Sequence, residues 1–193
     1  HNHTFVSKDK FAYLEDDEGN FIPINVYIGV DVAATATKKS DFQVILVIGI
    51  DKNKNRYILE YFHERIPTFD VPEKIIELAK KYAPVKRVTI ETVAAQEMVR
   101  DMVTRIATKD RRLIPGIFKG VRPPAGIKKE DRLETSLGPI VNSKKLYIRN
   151  SMTEIVDEFF EHPFAKHDDL LDGLYYAAVS YTHLRAHETR HDL

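Results

Sequence analysis

Cysteine is absent from the 193 residues, which excludes a disulfide frame, a thiolate zinc site and a cysteine nucleophile. Any metal ligands must therefore be carboxylates or histidines. No charge of one sign prevails. The 29 Lys and Arg balance 29 Asp and Glu, so total charge points to neither a nucleic-acid nor an acidic partner, and only the placement of charges can. Long hydrophobic runs are missing as well. The longest, Phe42 to Ile50, falls far short of the roughly 20 residues that cross a bilayer. The His1-Asn2-His3 start is not a signal peptide. The chain reads as soluble and intracellular, with no membrane partner, and its length suits one domain with tails rather than a multidomain enzyme. With no Met at position 1, it reads as a fragment.

What is present divides into three stretches. Residues 1–25 are polar, carry the acidic run Glu15-Asp16-Asp17-Glu18 and lack a clear apolar period, which predicts a linker or the end of an upstream region. Residues 26–181 form the domain. From Val26, three runs rich in β-branched and aromatic residues predict strands, the second and third joined as an antiparallel hairpin by Asp51-Lys-Asn-Lys-Asn55. The near-continuous apolar second strand predicts burial on both faces. Asp70 opens a helix that Pro84 stops, Arg87 to Glu91 is a strand, and Met98, Met102 and Ile106 with Val99 and Val103 mark a second helix. A strand near Leu113 to Phe118 follows. Next come a loop with Pro123-Pro124, a helix over Lys128 to Leu137 ended by Gly138, and a small hairpin from Ile140-Val141 to Leu146–Ile148. A helix capped by Ser151 and a last one from Asp168 complete the order. This predicts an α/β fold: a mixed sheet of about five strands, the first three antiparallel, with helices on both faces.

Three sets of acids stand out. Asp31 ends an apolar strand, where an unpaired carboxylate is costly to desolvate. Glu91 repeats the situation at the C-terminal end of another strand, the end at which open α/β sheets place their ligands. His167-Asp168-Asp169, with Asp172 one turn on, sits at a helix N-terminus, where the dipole favours ionised acids. Acids from three separate elements suit two hard cations, Mg²⁺ or Mn²⁺, about 3.5–4 Å apart for in-line phosphoryl transfer.

In this order, Tyr27-Ile-Gly-Val-Asp-Val32, Ile90-Glu-Thr-Val-Ala-Ala-Gln96, Lys129-Glu-Asp-Arg132 and His167-Asp-Asp-Leu-Leu-Asp-Gly-Leu174 resemble the nuclease domain of the large terminase subunit of tailed bacteriophages. That domain is RNase H-like, and the resemblance covers about Val26 to Tyr181. It implies that Asp31, Glu91 and Asp169 bind metal, with Asp168 an alternate or second ligand. It also implies metal-dependent cleavage of concatemeric viral DNA during packaging, in the host cytoplasm. The partners implied are double-stranded DNA, an upstream terminase ATPase domain, the portal protein and the small terminase subunit. No Gly-x-x-x-x-Gly-Lys-[Ser/Thr] loop occurs, so no ATP hydrolysis is attributed to this chain. The ending after Tyr181, residues 182–193, lacks an apolar stripe and is similar to translated sequencing-adapter read-through. It is expected to be a non-native or disordered tail whose histidines are no metal site.

Each residue also has a plainer reading. Asp31 as a turn cap, Glu91 as a salt-bridge partner, Asp168 as an N-cap and Asp172 as a solvated or structural acid are the ordinary alternatives. His167 is read either as a water-positioning group or as an incidental residue before a helix. Asp41 is taken as a turn residue, and Gln96 either faces the site or starts a helix. Lys119, Arg122, Lys128, Lys129 and Arg132 concentrate positive charge around the Pro-rich loop, as a solvated face or as a phosphate-holding surface with Lys129 near the scissile phosphate.

Competing functions stay open at this level. They are a Holliday-junction resolvase or transposase core using the same acids, and a catalytically inactive RNase H-like module that binds DNA. Ile28-Gly-Val-Asp31 also resembles the first phosphate-binding strand of actin-like and sugar-kinase ATPases, which need a second similar domain that this chain is too short to contain.

Overall fold

The computed structural model describes residues 1–33, 42–92, 95–110, 112–162, 164 and 169–191, with residues 95–96 and 182–191 in backbone only. Three long strands form the centre: β3 (Phe21–Asp31), β4 (Gln43–Asp51) and β5 (Arg56–Glu64), paired antiparallel in chain order. Every residue of β4 is buried, as expected for an apolar strand covered on both faces. Its side chains alternate: Ile45 and Val47 enter one core, Val44, Leu46 and Ile48 the other. Each fully buried aliphatic side chain of this kind contributes about 1.5–3 kcal/mol.

On the other edge of β3, β6 (Val85–Glu91) pairs in parallel along Val26–Val30, and β7 (Phe118–Val121) pairs in parallel with β6. The two-residue strand β8 (Leu146–Tyr147) extends the sheet beyond β5. One face carries α1 (Val71–Lys81) and α2 (Ala95–Lys109). The other carries α3 (Lys129–Asn142), α4 (Thr153–Glu161) and α5 (Asp169–His191). The mixed sheet with helices on both faces is therefore as the sequence predicts, but among the described residues it has eight strands rather than about five.

The extra strands come largely from the first 25 residues. β1 (Thr4–Lys8) and β2 (Phe11–Glu15) form a hairpin, and β2 pairs with the Phe21–Ile24 half of β3. The segment read as a linker is thus paired β structure. Its apolar alternation, Ala12 and Leu14 then Ile24, is buried but is too short to register as a period across the acidic interruption. That interruption is a turn: Asp16 Oδ1 accepts from the amides of Glu18 and Asn20 at 3.0 and 2.8 Å.

Other differences have local causes. Pro115-Gly116 turns the expected strand at Leu113 to Phe118 into a 3-10 turn over Pro115–Ile117, and pairing begins only at Phe118. The expected stop at Gly138 and the hairpin at Ile140-Val141 are absent, because α3 runs on through Pro139 to Asn142. The residue before a proline resists helix mainly through its Cβ, and Gly138 has none. On α2 the buried stripe is Val99, Val103 and Ala107, while Met98 is exposed. Neither Asp70 nor Ser151 makes the expected side-chain cap. The α5 backbone stays helical to His191, through most of the segment expected to be a tail.

Helix α5 comes unusually near the sheet at one point. A Cβ built on Gly29 would overlap the Gly173 carbonyl oxygen and the Ala177 nitrogen, and would lie 2.9 Å from the Tyr176 carbonyl carbon. Only the missing side chain lets backbone touch backbone here.

Candidate active site

The pleat of β3 sends Val26, Ile28 and Val30 into the α1 and α2 core, so that Tyr27, Gly29 and Asp31 face α5. β6 does the same with Val88 and Ile90 against Thr89 and Glu91. In the parallel register Gly29 stands beside Thr89 and Val30 beside Ile90. One residue further on, at the C-terminal ends of both strands, Asp31 and Glu91 therefore meet on the same face. They interact directly. Burial, a hydrogen bond to Glu91 and the nearby charge of Asp172 raise the Asp31 carboxyl well above its ordinary range, with Lys129 acting the other way.

Beneath this pair the packing is tight. Tyr176 is fully buried with its hydroxyl toward Glu91, and burial followed by the Glu91 charge pushes the phenol far up, so it stays neutral. Ser180 donates to the Tyr176 carbonyl at 3.0 Å, which leaves Thr89 to donate in the hydroxyl pair Thr89–Ser180. This bond ties β6 to α5 two residues before Glu91.

The α5 acids occupy different places. Asp172 is 4% exposed and is bound by Lys129 Nζ and by Arg132 Nη2, the latter at 2.9 Å. The Arg132 guanidinium in turn lies 4.8 Å from the Tyr175 ring centre. Asp172 is thus a buried, ion-paired neighbour of Asp31, and its solvated reading does not hold. Asp169 is partly exposed and lies by His63, whose Nε2 is 3.9 Å from its Oδ2. Asp168, His167 and Asp41 lie outside the described residues. Gln96 falls in the first turn of α2.

The five basic residues divide. Lys119, Arg122 and Lys128 are exposed, and Arg122 pairs with Glu97 at 3.1 Å. Lys129 and Arg132 turn inward to Asp172.

Two residues of this region escape the sequence reading. Glu158 of α4 is 8% exposed and accepts the Leu171 amide at 3.1 Å. Burial pushes its carboxyl up to about 7, partly offset by that amide and by His63. His63, near the end of β5, lies between Asp169 and Glu154, the latter 3.6 Å from its Nδ1. Burial acts to lower its pKa, but the contact with Asp169 and the charges of Glu154 and Glu158 outweigh this and raise it. The available signals were faint. Glu158 interrupts an apolar helical stripe three residues after Ile155, and His63 follows Tyr61 at strand spacing.

A family model described as "Terminase RNaseH-like domain" matches residues 28–180. The chain belongs to that family. The large terminase nuclease from thermophilic phage G20c shares its fold, with a TM-score of 0.59 at 15% identity over 90% of this chain and 89% of that one. The same nuclease with bound zinc gives 0.56 at 18% identity over the same shares. The yeast mitochondrial Holliday junction resolvase Ydc2 gives 0.51 at 11% identity over 84% of this chain and 82% of that one. Among curated protein sequences, none matches this chain. This terminase domain thus has the RNase H-like nuclease fold that the four sequence motifs imply. None of its described helices is long and apolar enough to cross a membrane.

Proposed function

We propose that this chain is the nuclease of a large terminase subunit, a metal-dependent endonuclease that cuts concatemeric double-stranded viral DNA during packaging. The supporting observation is the Asp31–Glu91 pair, at the C-terminal ends of adjacent parallel strands in a chain matched over residues 28–180 by the terminase family. Two carboxyls in contact, one pushed well above its ordinary range by burial and by its neighbours, are an oxygen donor set that suits a hard divalent cation such as Mg²⁺ or Mn²⁺. Among the described residues no group of three ligating side chains is assembled. Asp169, with Asp168 as alternate or second ligand, is proposed to complete the set.

Two such ions, when bound, would supply an activated water and charge stabilisation at the leaving 3′ oxygen. The remaining work falls to the chain. Asp31 and Glu91 present their oxygens on one face. Tyr176, neutral and buried, closes the floor under Glu91. Lys129, drawn to Asp172 beside Asp31, brings positive charge next to the place where a scissile phosphate would sit. Exposed Lys119, Arg122 and Lys128 hold the DNA backbone without reading its sequence. His167 is proposed to position water. An upstream ATPase domain, the portal protein and the small terminase subunit are the proposed partners.

The test is cleavage of supercoiled plasmid, and of a four-way junction for comparison, in Mg²⁺, Mn²⁺ and chelator. Plasmid cleavage that needs metal and is lost in Asp31→Asn, Glu91→Gln and Asp169→Asn supports the reading. Cleavage persisting in chelator overturns it, and cleavage confined to the junction favours a resolvase.

A further inference from the structure

The first turn of α5 is held from outside by two residues that the nuclease reading leaves without a role. A helix start exposes four amides with no partner in the helix. Here one of them, Leu171 N–H, donates to Glu158 Oε2 at 3.1 Å, a carboxylate supplied by α4. Glu158 lies on a buried stripe beside Ile155, where packing alone would favour an apolar residue. His63 of β5 packs on the Phe42 ring at 4.2 Å and points its Nε2 at Asp169 Oδ2, 3.9 Å away. That nitrogen is buried and makes no hydrogen bond among the described residues. A small rotation of the Asp169 carboxylate would satisfy it.

We infer that His63 and Glu158 are positioning residues, His63 fixing the Asp169 carboxylate and Glu158 fixing the turn that carries it, so that Asp169 is oriented to join Asp31 and Glu91 around a divalent cation. The inference rests on the nuclease reading. A carboxylate ligand needs a second contact to hold one orientation, and loss of such an outer contact weakens metal affinity by about 10–100-fold. A structural role alone would lower the melting temperature of the metal-free chain and leave the metal concentration dependence unchanged.

The experiment measures the melting temperature of the full chain against Mn²⁺ concentration, with plasmid cleavage in parallel. The variants are Asp169→Asn, His63→Ala, His63→Phe, Glu158→Ala and Glu158→Gln. His63→Ala, His63→Phe and Glu158→Ala should move the Mn²⁺ midpoint up by about tenfold or more. Glu158→Gln keeps an acceptor for Leu171 N–H and should recover most of the loss. His63→Phe fills the ring's space without its nitrogens, and with Glu158→Gln it keeps the comparison alive should an alanine variant fail to fold. If the folded His63 and Glu158 variants titrate like the parent while Asp169→Asn does not, this inference alone is overturned. A parent chain whose melting temperature ignores Mn²⁺ overturns the nuclease reading and this inference with it.

Discussion

Gly29 and Gly173 meet backbone to backbone, and a Cβ on Gly29 would collide with the Gly173 carbonyl oxygen. The obstacle is main chain, which no side-chain rotation relieves. Gly29→Ala should therefore push α5 off the sheet and cost about 3 kcal/mol or more in denaturant unfolding, at the upper end of overpacking effects. It should also weaken plasmid cleavage, since Asp31 is two residues away. A midpoint equal to the parent's would refute the close approach.

Replacing Arg132 and replacing Lys128 should give different results, although both lie in one basic stretch. Arg132 is largely buried against Asp172 and Tyr175, so Arg132→Ala leaves a buried carboxylate short of a partner and should destabilise the fold by about 3 kcal/mol. Lys119→Gln and Lys128→Gln alter exposed side chains. They should leave the melting temperature alone and lower the slope of log affinity for DNA against log salt by about 1 each. A salt slope unchanged in the Lys variants would remove this face from DNA binding.

Glu158 sets a pH dependence whose sign can be worked out. Its folded pKa is raised from 4.5 to about 7, so between those values the folded state holds more proton than the unfolded one. Stability from this group is full below about pH 4.5 and is lost as pH rises toward 7, by roughly 2–3 kcal/mol. Glu158→Gln should flatten that part of the stability–pH curve. An equally steep decline in the variant would assign it to another group.

Truncation after Tyr181 should leave folding and cleavage intact. Tyr181 itself is to be kept, since its ring meets Tyr27 at 5.9 Å and lies under the Arg56 guanidinium at 5.8 Å. A marked fall in melting temperature on removing residues 182–193 would show that the last turns of α5 support the domain.

The sequence made the central architecture legible because its signals are local and repeated. The all-apolar run of β4, the turn after Asp51 and the acids ending two strands each need only a few neighbouring residues to be read. The Asp31–Glu91 meeting is legible for the same reason, given that the two strands are neighbours. The relations that escaped are those between elements remote in the chain. Asp172 looks like any surface acid of a helix start until α3 supplies Lys129 and Arg132 to enclose it. His63 acquires partners only when α4 and α5 close over the end of β5. The β1–β2 hairpin is not legible because its strands are five residues each, too short for alternation to outweigh a polar composition.

The parallel pairing of β3 with β6 also bears on the order of folding. β1 to β5 form an antiparallel meander in chain order, whereas Val30 and Ile90 pair across α1 and two further strands. Local closures form first, because the entropy of a long loop opposes the distant one. Asp31 thus belongs to the early half of the structure and Glu91 arrives with the late half. The mutual repulsion of the two acids is then absent from the nucleus and falls on the final docking step. The like charges that suit this crevice for a cation act mainly on how fast the finished domain comes apart, and little on how fast it starts to form.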